Sequence, residues 1–307
     1  MSNSPFPTIG SRGSPLAMTQ ARMVAAALEL AHGWPAGSVP ILPVKTSGDR
    51  IQDRPLAEVG GKALWTKELD LALLAGEIDC SVHSMKDVES DRPDTLVIAA
   101  MLPRADVRDR LIGAASIASL PRGAVVGTSS PRRAAQLNRL RPDLRITSIR
   151  GNVDTRLARL QSGEVDATLL AAAGLDRLGR PDVGSPIAIE DMLPAPSQGA
   201  IGIECRTDDA AMLGLLGAID HAPTHEAVAA ERAFTLALGG TCHSPVGAFA
   251  RIKEGQVLLR TEILSEDGSE RLADEARFPV GDRAAPARLA SAMLDRAPSS
   301  IRRLFDG

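Results

Sequence analysis

The sequence predicts an α/β protein of more than one domain, and three observations carry that reading. The chain has 307 residues, too many for the commonest single-domain size. Hydrophobic residues make up 44% of it and aromatics only 2%, with no Tyr, so its cores are built from Ala, Leu, Val and Ile. An apolar strand, a Gly/Ser/Thr turn and a Pro-started helix also follow one another at two separate places.

The first of these begins at Thr8-Ile9-Gly10, a short strand end. A helix from Ser14 to Ala31 places Leu16, Met23, Val24, Ala27, Leu28 and Ala31 on one face, with Ser14 as N-cap and Pro15 at the first helical position. The turn from Gly10 to Ser14 therefore offers free N–H groups, a natural seat for an anion. Val44 to Gly61, rich in Gly, Asp and Pro, reads as a mobile flap. Gly76-Glu77-Ile78-Asp79-Cys80 then closes a Leu-rich helix and opens a buried strand leading to a polar turn, Ser84 to Val88.

Met101 to Asp106 reads as a first crossing into another domain. There the plan repeats: Ala124-Val125-Val126-Gly127 runs through Thr128-Ser129-Ser130 into a helix started by Pro131. Gly163-Glu164-Val165-Asp166-Ala167 echoes the earlier helix-to-strand junction, and Gly174 to Gly179 reads as its polar turn. A second crossing lies near Pro194 to Gly199, after which Ala200 to Cys205 alternates like a strand and rejoins the first domain. Two crossings of this kind set a ligand cleft at a hinge. From about Thr224 a third unit starts, with a helix from Glu226 to Leu238, a Gly-Gly-Thr-Cys turn, strands around Ala248–Ile252 and Val257–Ile263, and a helix from Ala284. The expected division is residues 1–104 with 200–222, residues 105–199, and residues 223–307.

Composition excludes several classes of function. Net charge is −3 and the pI is near 6.0, so neither nucleic acid nor an anionic membrane is expected as a partner. Cys80, Cys205 and Cys242 are odd in number, far apart and without metal-ligand spacing, which argues against a disulfide framework and against a bound metal. The opening residues lack a basic start followed by an apolar run, and no apolar stretch reaches spanning length. A cytoplasmic location is the expectation.

The motifs resemble one family. Ser11-Arg12-Gly13-Ser14-Pro15-Leu16-Ala17, Gly60-Gly61-Lys62-Ala63-Leu64-Trp65-Thr66-Lys67-Glu68, Val82-His83-Ser84-Met85-Lys86-Asp87-Val88 and Gly127-Thr128-Ser129-Ser130-Pro131-Arg132-Arg133 look like the porphobilinogen deaminases. So do Ile149-Arg150-Gly151-Asn152-Val153-Asp154-Thr155-Arg156, Gln198-Gly199-Ala200-Ile201-Gly202-Ile203-Glu204-Cys205-Arg206 and Gly239-Gly240-Thr241-Cys242, all in family order. The resemblance implies three α/β domains, the first two like type II periplasmic binding proteins and the last a smaller α/β (α+β) unit. It also implies a dipyrromethane cofactor joined by a thioether to Cys242. On that primer, porphobilinogen is deaminated and added head to tail until the linear tetrapyrrole hydroxymethylbilane is released, and the enzyme is expected to be a monomer. Thr241, Trp65 and Asp176 depart from the commoner family spelling.

Such a substrate carries an acetate and a propionate on each ring, so its site must supply fixed cations. From Arg132 to Arg177 there are nine arginines against five acids. The resemblance assigns Lys86, Ser129, Arg132, Arg133, Arg150 and Arg156 to the cofactor, and Arg12, Ser14, Arg150, Arg156, Arg177 and Gln198 to the substrate. Arg139, Arg141, Arg145 and Arg159 read instead as a solvated helix face. Ser14, Ser129 and Ser130 serve as helix caps, as carboxylate ligands, or as both. Lys62 and Lys67 are weaker candidates for a substrate carboxylate.

Positive charge develops on pyrrole nitrogen during the reaction, and a carboxylate accepting from those N–H groups would favour the transition state. Asp87, beyond the C-terminal end of a strand where open α/β sheets bind ligands, is the candidate. His83 reads as an inward-facing strand residue, and Cys80 and Cys205 as small buried hydrophobes. The competing reading is a non-enzymatic two-domain ligand binder sharing the same anion seats. The third unit bearing Cys242 and the absence of a DNA-binding helix pair weigh against it.

Overall fold

The computed structural model describes residues 5–45, 66–241 and 244–305. The chain divides into two compact units, Met1–Ala105 with Ala200–His225, and Asp106–Gly199 with Glu226–Gly307. Residues 46–61 of the expected flap, Lys62, Trp65 and Cys242 lie outside the described residues, whereas Val44 ends a strand.

The first unit is built on a five-stranded sheet in the order β2-β1-β3-β10-β4. Its strands are β1 (Ile9–Arg12), β2 (Ile41–Val44), β3 (Cys80–Ser84), β4 (Leu96–Met101) and β10 (Ile201–Arg206). β1 runs parallel to β2 and β3, whereas β10 is antiparallel to both β3 and β4. Helix α1 (Pro15–His32) follows β1, and α2 (Lys67–Leu74) precedes β3. Ser14 caps α1 through Oγ, which accepts from the Ala17 N–H at 3.3 Å, and Gly33 ends it in the left-handed region at φ 66°.

The buried face of α1 is Ala21, Val24, Ala25 and Leu28, packed on Ile9, Val82, Ile203 and Leu216. A fully buried Leu or Ile contributes roughly 1.5–3 kcal/mol there. Met23, expected on this face, is 42% exposed: it lies mid-helix, outside the arc that Gln20, Ala21, Val24, Ala25 and Leu28 bury. Strand β1 also runs two residues further than its sequence suggests, to Arg12.

The second unit repeats the plan with a sheet in the order β7-β6-β8-β5-β9. Its strands are β5 (Asp109–Ile112), β6 (Val125–Gly127), β7 (Arg145–Thr147), β8 (Ala167–Ala171) and β9 (Ser185–Pro186). β6 is parallel to β7 and β8, and β5 is antiparallel to β8 and β9. Helix α3 (Pro131–Leu140) follows β6 and is capped by Ser130; α4 (Val153–Gln161) is capped by Asn152. Gly174–Gly179, expected as a polar turn, is largely helix α5 (Ala172–Arg177), because Ala172, Ala173 and Leu175 bury their side chains and tertiary packing overrides the weak helix preference of Gly174.

Helix α6 (Ala210–Gly217) returns to the first unit, and α7 (Ala222–Ala237) leads to the C-terminal sheet β11-β12-β13. That sheet, β11 (Val246–Lys253), β12 (Gln256–Leu264) and β13 (Arg271–Pro279), is antiparallel and packs with α8 (Ala285–Arg296) and α9 (Ser299–Arg302). Phe234, Leu259, Ile263 and Met293 form its centre. β13 was not among the expected strands: Asp274 falls on its inward-facing set and Ala273 on its outward-facing set, which breaks the apolar/polar alternation.

Candidate functional site

In the first unit a pocket open to solvent lies at the C-terminal ends of β1 and β3. Arg12, Ser14, Leu16, Ala17, Gln20, Thr66, Val82, His83, Ser84, Asp87 and Val88 line it. The placement follows from the fold: parallel strands end here, and the start of α1, at Ser14, Leu16 and Ala17, lines the same opening. Asp87 closes a single 3₁₀ turn, Met85–Asp87, directly after β3. That turn sits tightly on β10. A Cβ at Gly202 would lie 2.1 Å from Met85 Sδ, so Gly202 is what lets Met85 seat and Asp87 reach the pocket. Gln20 and Ser84 exchange hydrogen bonds at 2.8 and 3.0 Å across the floor, tying α1 to β3. Lys86, on the same turn, is half-buried.

Three of the sequence-derived residues, Arg12, Ser14 and Asp87, thus share one pocket. His83 is buried as expected, with Nε2 2.8 Å from Ser81 Oγ and 3.0 Å from Glu204 Oε2. Burial pushes the Glu204 carboxyl up, but the hydrogen bonds and charges of His83 and Arg92 outweigh it and hold it at about 2. Cys80 and Cys205 are fully buried thiols; burial raises both, Cys205 to about 11.

The second unit gathers a different set. Arg132 and Arg133 are 3% and 5% exposed and converge on Asp109, donating Nη2 at 2.8 Å and 2.7 Å to its two oxygens. Gln198 adds Nε2 to the same carboxylate at 2.9 Å and to the Val107 carbonyl at 2.7 Å. Arg132 also donates to Gln136 Oε1 and the Leu193 carbonyl, and Gln136 passes the chain of contacts to Glu262 on β12. These three sequence-derived residues therefore lie inside a buried network centred on Asp109, which the sequence reading did not name. Its signal was faint: an acid opening the short strand Asp109-Arg110-Leu111-Ile112.

Near this network Ser129 is exposed and donates to the Ile149 carbonyl at 2.6 Å. Arg150 and Arg156 are half-buried at the start of α4, Arg156 holding the Gly151 carbonyl through Nε at 3.0 Å. Arg177 donates Nη2 to the Gly199 carbonyl at 2.7 Å, and burial pulls its guanidinium down to about 10. Among the described residues, the buried Nε groups of Arg132, Arg133 and Arg177 have no hydrogen-bond partner. The cations that a dipyrromethane with its carboxylate side chains can meet at the surface are the half-buried Arg150 and Arg156 beside exposed Ser129, with Arg132 and Arg133 interior behind them. The arginines set aside as a solvated face behave differently. Arg141 pairs with Asp143 at 2.7 Å and Arg159 with Glu164 at 2.7 Å, while Arg145 holds the Gly123 carbonyl at 3.0 Å.

Glu231, fully buried in α7, was also missed. It accepts from the Ser197 N–H and the Ala250 N–H, each at 2.6 Å. The first of these bonds steadies Ser197, which holds a left-handed φ of 65° just before Gln198.

Fold and side chains together define an α/β protein with helix-start anion seats, guanidinium clusters and one pocket carboxylate. Comparison with known proteins narrows the class. Residues 8–214 match the family model described as porphobilinogen deaminase, dipyrromethane cofactor-binding domain, and residues 225–294 match the porphobilinogen deaminase C-terminal domain. The porphobilinogen deaminase of Sphingopyxis alaskensis is 59% identical over 97% of this chain and 96% of its own length. That of Paracoccus denitrificans is 49% identical over 95% of each. Among solved structures, the periplasmic VFT2 domain of Bordetella pertussis BvgS (TM-score 0.39, 16% identity, 71% of this chain and 87% of that one) is a distant likeness. So is substrate-binding domain 2 of Lactococcus lactis GlnP (TM-score 0.41, 11% identity, 71% and 90%). The chain belongs to the porphobilinogen deaminase family.

Proposed function

We infer that this chain is a transferase that deaminates porphobilinogen and joins the pyrrole units head to tail into hydroxymethylbilane, in tetrapyrrole biosynthesis. The observation that carries the reading is the family match over residues 8–214 and 225–294, with Asp87, Arg12 and Ser14 on one pocket of the matched region. The dipyrromethane, when bound, supplies the nucleophilic pyrrole carbon that starts the chain. Cys242 is proposed as its covalent anchor, and Lys86, Ser129, Arg132, Arg133, Arg150 and Arg156 as the groups that hold its carboxylates.

Arg12, Ser14, Arg150, Arg156, Arg177 and Gln198 are proposed to bind the substrate side chains. A hydrogen bond to a charged group contributes roughly 1.5–3 kcal/mol net, so several are needed to offset the desolvation of an acetate and a propionate. The positive end of α1, with the Leu16 N–H and the Ser14 hydroxyl there, suits a carboxylate. Asp87 accepts from the substrate pyrrole N–H as the C–N bond to the departing ammonia breaks and the ring becomes electron-poor. Its charge stabilises the cationic ring more than the neutral one, which is the condition for acceleration.

The three-domain division expected from sequence is part of this proposal, as are a monomeric state and a cytoplasmic location. No helix among the described residues is long and apolar enough to cross a membrane. Incubating the purified chain with porphobilinogen tests the activity. Release of one ammonia per substrate consumed, with a linear tetrapyrrole that closes to a porphyrinogen on standing, is expected. Unconsumed porphobilinogen would overturn the reading.

A further inference from the structure

The wall of the Asp87 pocket is connected to a buried ion cluster whose chemistry the proposed mechanism leaves unused. His83 lines the pocket, and its Nε2 lies 3.0 Å from Glu204 Oε2 and 2.8 Å from Ser81 Oγ. Glu204 is fully buried on β10, directly across the sheet, where Gly202 faces His83 and Glu204 faces Ser81 in register. Arg92 grips both carboxylate oxygens, Nε to Oε1 and Nη2 to Oε2, each at 2.8 Å. Its remaining donors reach Thr66 Oγ1 at 3.1 Å and Asp70 Oδ1 at 2.6 Å, and Thr66 lines the same pocket as His83. The charged groups near the ring are thus Glu204 from β10, Arg92, Asp70 from α2, and the pocket residues Arg12 and Asp87.

An ionised carboxylate can only accept a hydrogen bond, and the two-pronged contact with Arg92 keeps Glu204 ionised. Nε2 of His83 must therefore carry a proton whatever the charge on the ring. In the neutral ring Nδ1 is then the acceptor, and among the described residues it has no partner. A buried carboxylate behind an imidazole is the usual means of fixing a histidine tautomer.

We propose that Glu204 is a positioning residue that locks His83 in its Nε2–H tautomer, so that Nδ1 offers the pocket an acceptor for a pyrrole N–H beside Asp87. The inference rests on the functional reading above for its ligand, but the tautomer it requires can be read without turnover. In the chain labelled with ¹⁵N-histidine, the His83 resonances, identified by their loss in His83→Gln, should report a protonated Nε2 and a bare Nδ1 at neutral pH. In Glu204→Gln the amide can present either its oxygen or its nitrogen, and the ring should populate both tautomers.

In His83→Gln the amide nitrogen can donate toward Glu204, but the acceptor oxygen then sits on the same terminal carbon and not at the position of ring Nδ1. The variant should fold with its two-pyrrole mass excess intact, keep KM within about threefold, and lose at least tenfold in kcat. A bare Nε2 in the unmutated chain, an unchanged tautomer in Glu204→Gln, or full kcat in His83→Gln would each overturn the proposal. An unmutated chain that carries no pyrrolic mass and leaves porphobilinogen unconsumed would instead overturn the functional reading.

Discussion

Asp109 accepts a hydrogen bond from Arg132 at 2.8 Å, with both side chains withdrawn from solvent. Arg133 takes the other oxygen, so one carboxylate faces two guanidiniums. Burial pushes the Asp109 carboxyl up, yet the two cations outweigh it and hold it well below the usual carboxylate range. Glu204 plays the equivalent part in the first unit. In each sheet a buried acid on the antiparallel strand, β5 or β10, grips arginine.

Breaking the first of these clusters should be costly. Asp109→Asn removes the carboxylate that Arg132 and Arg133 share, and removal of one partner from a buried ion pair costs about 3–5 kcal/mol. We expect thermal and denaturant unfolding to register that loss, and the intact mass of whatever folds to lack the pyrrolic excess. A variant of unchanged stability and mass would show that the cluster orients nothing.

Acid should loosen the fold through the same groups. The folded carboxyls of Asp109 and Glu204 lie below their ordinary values, so the stability they add is complete above about pH 4.5 and is lost as pH falls through their folded values. For Glu204 the interval from 4.5 to about 2 corresponds to about 3 kcal/mol. Unfolding free energy measured against pH should slope downward below 4.5, and Glu204→Gln should flatten that slope.

Asp87 can be separated from binding. Asp87→Asn preserves shape and removes charge, so the purified variant should carry its pyrrolic mass yet elongate roughly 10²–10⁴-fold more slowly. Stopped-flow turnover beside intact mass measures both, and near-normal elongation would remove Asp87 from the chemistry.

The two interior thiols should stay silent. With Cys80 and Cys205 fully buried and burial pushing Cys205 up to about 11, a thiol reagent at pH 8 should leave both unlabelled until the chain is denatured. Rapid native labelling at either position, read by peptide mapping, would contradict their burial.

What the sequence disclosed and what it hid divide along a physical line. The Ser14-Pro15 and Ser130-Pro131 helix starts are local chemistry, a cap followed by a fixed φ, and both helices begin at those prolines. The pocket set of Arg12, Ser14 and Asp87 was reachable for the same reason, since strand ends and helix starts are visible in short windows. The partners of the buried acids were not. Arg132 lies 23 residues from Asp109 and Arg92 lies 112 from Glu204, distances that only the sheet order brings together. Arg132 and Arg133 therefore read as open-faced cations although both are interior, and the helix at Ala172–Arg177 hid behind Gly174 because its burial is tertiary.

The central claim is that pyrrole units grow on a primer covalently held by this chain. Denatured intact-protein mass tests it directly. The account predicts an excess over the sequence mass equal to two pyrrole units, abolished by Cys242→Ser; an active chain whose mass carries no such excess would contradict it.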